Sequence, residues 1–176
     1  MSLARTLLLR ASTSPWLARQ MSDRAVVQRA VRRFLPGESL ADAVAAGERL
    51  REEGLRSLFT LLGENVESAE DAVAVADAYA RAVEAVAAAG LPSDLSLKPT
   101  HLGLDLGIEI AEAGLRDVVA RAGAAGRLVA IDMESSEYTQ RTLDAFEKVR
   151  AEGWRDVGVV LQSYLRRTAG DVARMN

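Results

Sequence analysis

A recurrence limits most tightly what this chain can fold into. Four short apolar runs, LRSLFTLLGE from Leu55, DLSLKPT from Asp94, LVAIDME from Leu128 and DVGVVLQSYL from Asp156, each meet a polar residue where the apolar character stops. Those residues are Glu64, Lys98, Asp132 and Gln162, spaced 34, 34 and 30 residues apart. Apolar runs of this length read as buried strands. Helical patterns lie between them: about Ser68 to Ala89, opened by Ser68 with Asp71 three residues on and closed by Gly90-Leu91-Pro92; Ile108 to Ala122; Thr139 to Ala151, stopped by Gly153; and a further start at Thr168. Strand and helix alternating in this way imply parallel strands joined by right-handed crossovers, with one βα unit between successive polar residues.

Two architectures use such units, the open doubly wound sheet and the closed barrel. The turn after the first strand, LLGENVES, lacks the glycine-rich loop of a doubly wound nucleotide site. Barrels place catalytic groups at the C-terminal ends of several strands, which is the pattern here. The expected fold is therefore α/β, a (β/α)8 TIM-type barrel. Eight units need about 250 residues, so a chain of 176 holds about the first four. Upstream, Asp23 to Phe34 and Glu38 to Glu53 read as helices, separated by Pro36-Gly37. The expected organisation is a basic segment over residues 1–24, N-terminal helices over 25–54 and the first half of a barrel over 55–176.

Charge and composition remove several function classes. The 22 basic and 25 acidic residues are mixed throughout, so no basic stripe points to nucleic acid. With no cysteine and one histidine, a disulfide framework, a thiolate metal site and a multi-histidine zinc site are excluded within the chain, and no metal is expected. No apolar run approaches the roughly 20 residues that span a bilayer. Met1 to Arg24 carries Arg5, Arg10, Arg19 and Arg24 with no acid before Asp23. It reads as a basic amphipathic helix that packs on the domain or touches anionic lipid, in preference to an organellar transit peptide. The expected location is cytoplasmic, with this segment a candidate for peripheral contact with the inner membrane; mitochondrial targeting is the less favoured alternative.

The strand-end residues differ in what they can do. Lys98, stiffened by Pro99, could form a Schiff base as in an aldolase, or stay protonated and hold a carboxylate or an electron-rich cofactor; otherwise it is a surface lysine. Asp132 is costly to desolvate unless paired or used on a ligand, and is read as a site residue, a helix cap or a partner for Lys98. Glu134 is read as a site or structural carboxylate. Gln162 needs partners for both ends of its amide, which a heteroaromatic ring edge could supply. Glu64 either caps the following helix or gates the site by pairing with a cation elsewhere. His101 is read as incidental, Arg166-Arg167 as a solvated loop rather than a phosphate site, and the helix from Ser68 as outer packing.

Together the segments VRRFLPGESLADAV (Val31 to Val44), LLGENV (Leu61 to Val66), SLKPTHLGLD (Ser96 to Asp105), VAIDMESSEYTQRTLDAF (Val129 to Phe146) and GVVLQSYLRRT (Gly158 to Thr168) resemble the proline dehydrogenase family of flavin-dependent (β/α)8 enzymes. The similarity covers roughly residues 25 to 176. It implies oxidation of L-proline to Δ1-pyrroline-5-carboxylate with FAD as acceptor and a membrane quinone downstream. It also implies that Lys98 contacts flavin and substrate, Asp132 orients Lys98, Gln162 hydrogen-bonds the flavin ring and Glu64 is the acidic half of an ion-pair gate over proline. The family's later R-x-V-K-G-A-Y strand and Y-x-x-R-R helix have no counterpart here, and Ser135 stands where an acid is common. The chain is thus expected to be the N-terminal half of such an enzyme, a truncated form. The alternative is an inactive half-barrel that needs a partner chain.

Overall fold

A computed structural model describes residues 35–37 and 39–175. The basic segment expected over residues 1–24 and the helix expected over Asp23 to Phe34 lie outside them. By its contacts the chain divides into Met1–Ala43 and Val44–Asn176. Ser39 caps helix α1 (Leu40–Glu52), which begins in the first unit and continues into the second: its hydroxyl accepts from the Asp42 amide at 3.1 Å, and its own amide donates to the Asp42 carboxylate at 3.2 Å.

The second unit continues with β1 (Ser57–Thr60), α2 (Ala69–Ala88), β2 (Ser93–Leu97), a 3-10 turn (Pro99–Leu102), α3 (Ile108–Ala124), β3 (Val129–Ile131), α4 (Thr139–Ala151), β4 (Val157–Val159) and α5 (Thr168–Met175). The local signals act as expected. Ser68 accepts from the Asp71 amide at 3.1 Å to open α2. At its other end Gly90 takes φ +60° and lets the Leu91 N–H return to the Val86 carbonyl at 3.1 Å.

The four strands form one parallel sheet in the order β1-β2-β3-β4. Each strand lies beside its predecessor, so the reversal of strand order that defines a doubly wound sheet does not occur among the described strands. Side chains alternate across the sheet. Leu95, Leu97, Val129, Ile131 and Val157 point to one face, where Tyr79 and Val83 of α2, Leu115 and Val119 of α3, and Val149 of α4 bury them. Each fully buried aliphatic side chain contributes roughly 1.5–3 kcal/mol. The opposite face, whose register runs Thr60, Ser96, Ala130, Gly158, is not packed in the same way. There Leu58 is 54% exposed, and Val160, just past β4, is 43% exposed.

The strands are shorter than the apolar runs suggested. The run read as a strand to Gly63-Glu64 pairs only over Ser57–Thr60, and the one read to Gln162 only over Val157–Val159. An apolar run reports burial rather than ladder pairing: Leu61 packs against the core after its backbone has left the sheet. Lys98 and Asp132 directly follow β2 and β3, whereas Glu64 and Gln162 sit in loops a few residues further on. Among the described residues, no helix is long and apolar enough to cross a membrane.

Candidate functional site

The carboxyl edge of the sheet gathers the four residues. Lys98 leaves β2 in extended conformation, and Pro99 begins the 3-10 turn that follows. Inside that turn Thr100 is buried and donates twice to Glu134 of the loop after β3, from its amide at 3.0 Å and from its hydroxyl at 2.5 Å. Hydrogen bonds to a charged acceptor contribute about 1.5–3 kcal/mol. Glu134 is therefore a structural carboxylate that fixes the turn on which Lys98 stands.

The Lys98 ammonium pairs with Glu64, Nζ to Oε2 at 3.4 Å, with side chains 35% and 57% exposed. An exposed pair of this kind is worth about 0–1 kcal/mol, so it is readily opened. Asp132 is the neighbour of Lys98 across the β2–β3 ladder, its amide donating to the Leu97 carbonyl at 2.8 Å, but its carboxylate makes no ion pair among the described residues. The observed partner of Lys98 is thus Glu64, and the cap of α2 that Glu64 might have provided comes from Ser68. Gln162 turns its amide nitrogen to the Glu134 carbonyl at 3.1 Å and the Met133 carbonyl at 3.4 Å, while its side-chain oxygen accepts from the Tyr164 hydroxyl at 3.4 Å. Both ends of the amide are satisfied, by backbone and a tyrosine.

Glu64 is held from both sides by residues that sequence reasoning passed over. On one side a Cβ on Gly63, whose φ is +153°, would lie 2.4 Å from His101 Nε2. Only glycine allows this close approach. His101 is buried edge-on to Tyr79, ring centroids 6.4 Å apart, and burial followed by the nearby Lys98 charge pushes its pKa down, with Glu64 opposing. Tyr79 reaches from α2 to accept the Leu61 amide at 3.4 Å; burial pushes its hydroxyl pKa up, and the Asp132 charge adds to this. The helix read as outer packing therefore also carries a phenol into the site's floor. On the other side of Glu64, Asn65 donates to Asp105 at 2.7 Å. The nearby Asp105 carboxylate also pushes the Tyr138 phenol pKa up.

One signal in the sequence could have sharpened the reading of Lys98. Only two of the 22 basic residues are lysines, so an arginine is the default cation in this chain and lysine at position 98 is an exception. A compact ammonium and a planar guanidinium are not interchangeable. Arg167 is occupied by Asp171 at 2.7 Å and Gln140 at 2.7 Å, a structural tie between α5 and α4 rather than an anion site.

The sequence and fold have clear relatives. Residues 43–176 match the family model of proline dehydrogenase. Proline dehydrogenase 1 of Bacillus subtilis (strain 168) is 37% identical over 144 residues, 82% of this chain and 47% of the relative. Proline dehydrogenase of Deinococcus radiodurans is 33% identical over 148 residues, 82% of this chain and 48% of the relative. Among solved structures, proline utilization A (PutA) from Bdellovibrio bacteriovorus, inactivated by N-propargylglycine, superposes with a TM-score of 0.75 at 23% identity, covering 85% of this chain and 18% of that one, and supports the fold. A Bradyrhizobium japonicum PutA variant gives 0.64 at 26% identity, covering 79% of this chain and 16% of that one. The chain spans about half the length of the curated relatives it matches. On this evidence, the chain belongs to the proline dehydrogenase family.

Proposed function

We propose that this chain supplies the first four βα units of a (β/α)8 barrel that oxidises L-proline to Δ1-pyrroline-5-carboxylate with FAD, electrons then passing to a quinone. The observation that carries the reading is the Lys98–Glu64 pair, at the carboxyl edge of a sequentially ordered parallel sheet whose second face is not covered by the described helices. Sequential order with helices on one face is the arrangement a barrel requires, and its carboxyl edge is where barrel enzymes carry their chemistry.

The residues present fit a flavin. Ser96, on the face opposite the core and two residues before Lys98, is only 3% exposed, and its hydroxyl has no partner among the described residues. It joins the Lys98 ammonium and the half-buried Gln162 amide in a set of donors and acceptors suited to a heteroaromatic ring. Lys98 and Gln162 would hold FAD, which when bound supplies the acceptor for a hydride from the carbon next to the proline nitrogen. Lys98 would also hold an anionic group of the substrate, and Asp132, beside it across the ladder, would fix its orientation. Glu64, in the loop over the edge, would exclude water by closing on a cation.

The test is spectroscopic. With the chain joined to the C-terminal half of a relative, L-proline is expected to bleach the flavin absorption band and drive reduction of a dye. A flavin-loaded protein that proline leaves fully oxidised would refute the proposal.

The exposure of Leu58 and Val160 favours a second reading for the chain alone, an inactive half-barrel that requires another chain to cover this face. Size-exclusion chromatography with FAD titration decides it: a stable monomer that binds FAD contradicts this reading.

A further inference from the structure

We propose that Asn65, Asp105 and Tyr138 form a clasp that positions Glu64 against Lys98. The inference rests on the reading of Glu64 as the gate over the site. Asn65 is the one non-glycine among the described residues with positive φ, 55°, a conformation asparagine tolerates better than most residues. That turn sends its side chain to Asp105, 40 residues away in the segment after the 3-10 turn, at 2.7 Å. Tyr138, the residue that leads into α4, lies near the same carboxylate, whose charge pushes the phenol pKa up.

The connections after β1 and β2 therefore meet through the Asn65–Asp105 bond at the residue next to Glu64, with Tyr138 of the connection after β3 near the same carboxylate. The preceding residue, Gly63, is stopped by the His101 ring. Glu64 is thus fixed at both flanks while its own side chain remains largely exposed and its bond to Lys98 long, at 3.4 Å. The carboxylate is presented, not locked. Asn65 and Asp105 are exposed to solvent and compete with water for their hydrogen bond. Such a contact orders a loop without preventing it from lifting. Asn65, Asp105 and Tyr138 are positioning residues in this scheme, acting on the reaction only through Glu64.

Zero-length cross-linking of the intact chain tests the clasp without flavin or proline. A carbodiimide activates the Glu64 carboxylate, and the Lys98 amine displaces the urea to form an amide. The reagent takes up the water that is lost. The chain's other lysine pairs with Glu112 on the outer helices, which gives an internal reference in the same digest.

Relative to that reference, the Lys98–Glu64 link is expected to fall about threefold or more in Asp105→Ala and in Asn65→Gly, the scale on which an exposed contact controls a population. Asp105→Asn, which keeps an acceptor for Asn65, is expected to retain most of the yield. An unchanged link in Asp105→Ala and Asn65→Gly overturns the proposal, as does a parallel fall in the Lys148–Glu112 reference or the absence of the Lys98–Glu64 link from the unsubstituted chain. If Asp105→Asn falls as far as Asp105→Ala, the hydrogen-bond basis is overturned. Failure of proline to bleach a flavin would leave these yields unaffected, so the clasp and the catalytic reading fail separately.

Discussion

The chain's two lysines make the same kind of contact in two different settings. Lys148 on α4 meets Glu112 on α3, a carboxylate whose side chain is 6% exposed and which also takes Arg116 at 3.3 Å. Arg116 in turn holds Glu152 at 2.8 Å. Helix-borne side chains surround a buried charge there, and the network joins two helices of the outer layer. Lys98 meets Glu64 across two loops, at 3.4 Å and in contact with solvent. Identical charges thus serve opposite ends. Separating the first pair would strand the Glu112 charge away from water, since that carboxylate is buried even though Lys148 is half exposed; the Lys98–Glu64 pair, with both partners in contact with solvent, separates at little cost.

The strongest way to break this comparison is the double substitution Arg116→Ala/Lys148→Ala. It leaves Glu112 buried and unpaired, and is expected to cost about 3–5 kcal/mol, read as a lowered urea midpoint. A loss no larger than that from an exposed pair would erase the distinction. Next in size, Glu134→Ala removes the acceptor of the buried Thr100 amide and hydroxyl. It is expected to destabilise by about 2 kcal/mol, which would show that the rim also contains a half-buried, hydrogen-bonded carboxylate beside the exposed one. Glu64→Gln should change the midpoint by less than about 1 kcal/mol, and any difference from the parent should vanish at high salt, as exposed charges are screened.

The smallest effect is a pH dependence. Burial and Lys98 push the His101 pKa below its ordinary 6.5. The folded state then binds a proton less readily than the unfolded chain, so the contribution to stability is complete above about 6.5 and is lost as pH falls through the depressed value. Because the chain has one histidine, its ring resonances titrate without ambiguity by NMR. A midpoint at or above the ordinary value would contradict the burial argument. Glu64→Gln is expected to lower the midpoint further, since Glu64 raises it.

The parallel βα alternation was legible because helix periodicity, Ser68 with Asp71, and glycine stops all act within a few residues. Helix α4 matches its expected span at both ends, Thr139–Ala151. Strand ends were overread since Leu61 remains apolar after the ladder stops. The common placement of Lys98, Glu64, Asp132 and Gln162 at one edge was legible, but their pairing was not. Which carboxylate reaches Lys98 depends on loop conformation, and that depends on Gly63 against His101 and on Asn65 reaching Asp105. Such contacts join residues about 40 positions apart and leave no periodic trace. His101, set aside as a lone histidine in a turn, is the wall that shapes the loop before Glu64.

The sequential strand order has a kinetic consequence. Ser57 pairs with Ser93, Leu95 with Val129, and Val129 with Val157, so every new strand docks on the one made just before it. The paired residues are 36, 34 and 28 positions apart, so each closure costs less loop entropy than a pairing between non-consecutive strands would. As the chain leaves the ribosome, each βα unit finds its template already formed, and assembly can proceed from the N-terminal side one unit at a time. The exposed edge of the newest strand is then the surface on which synthesis and folding advance together.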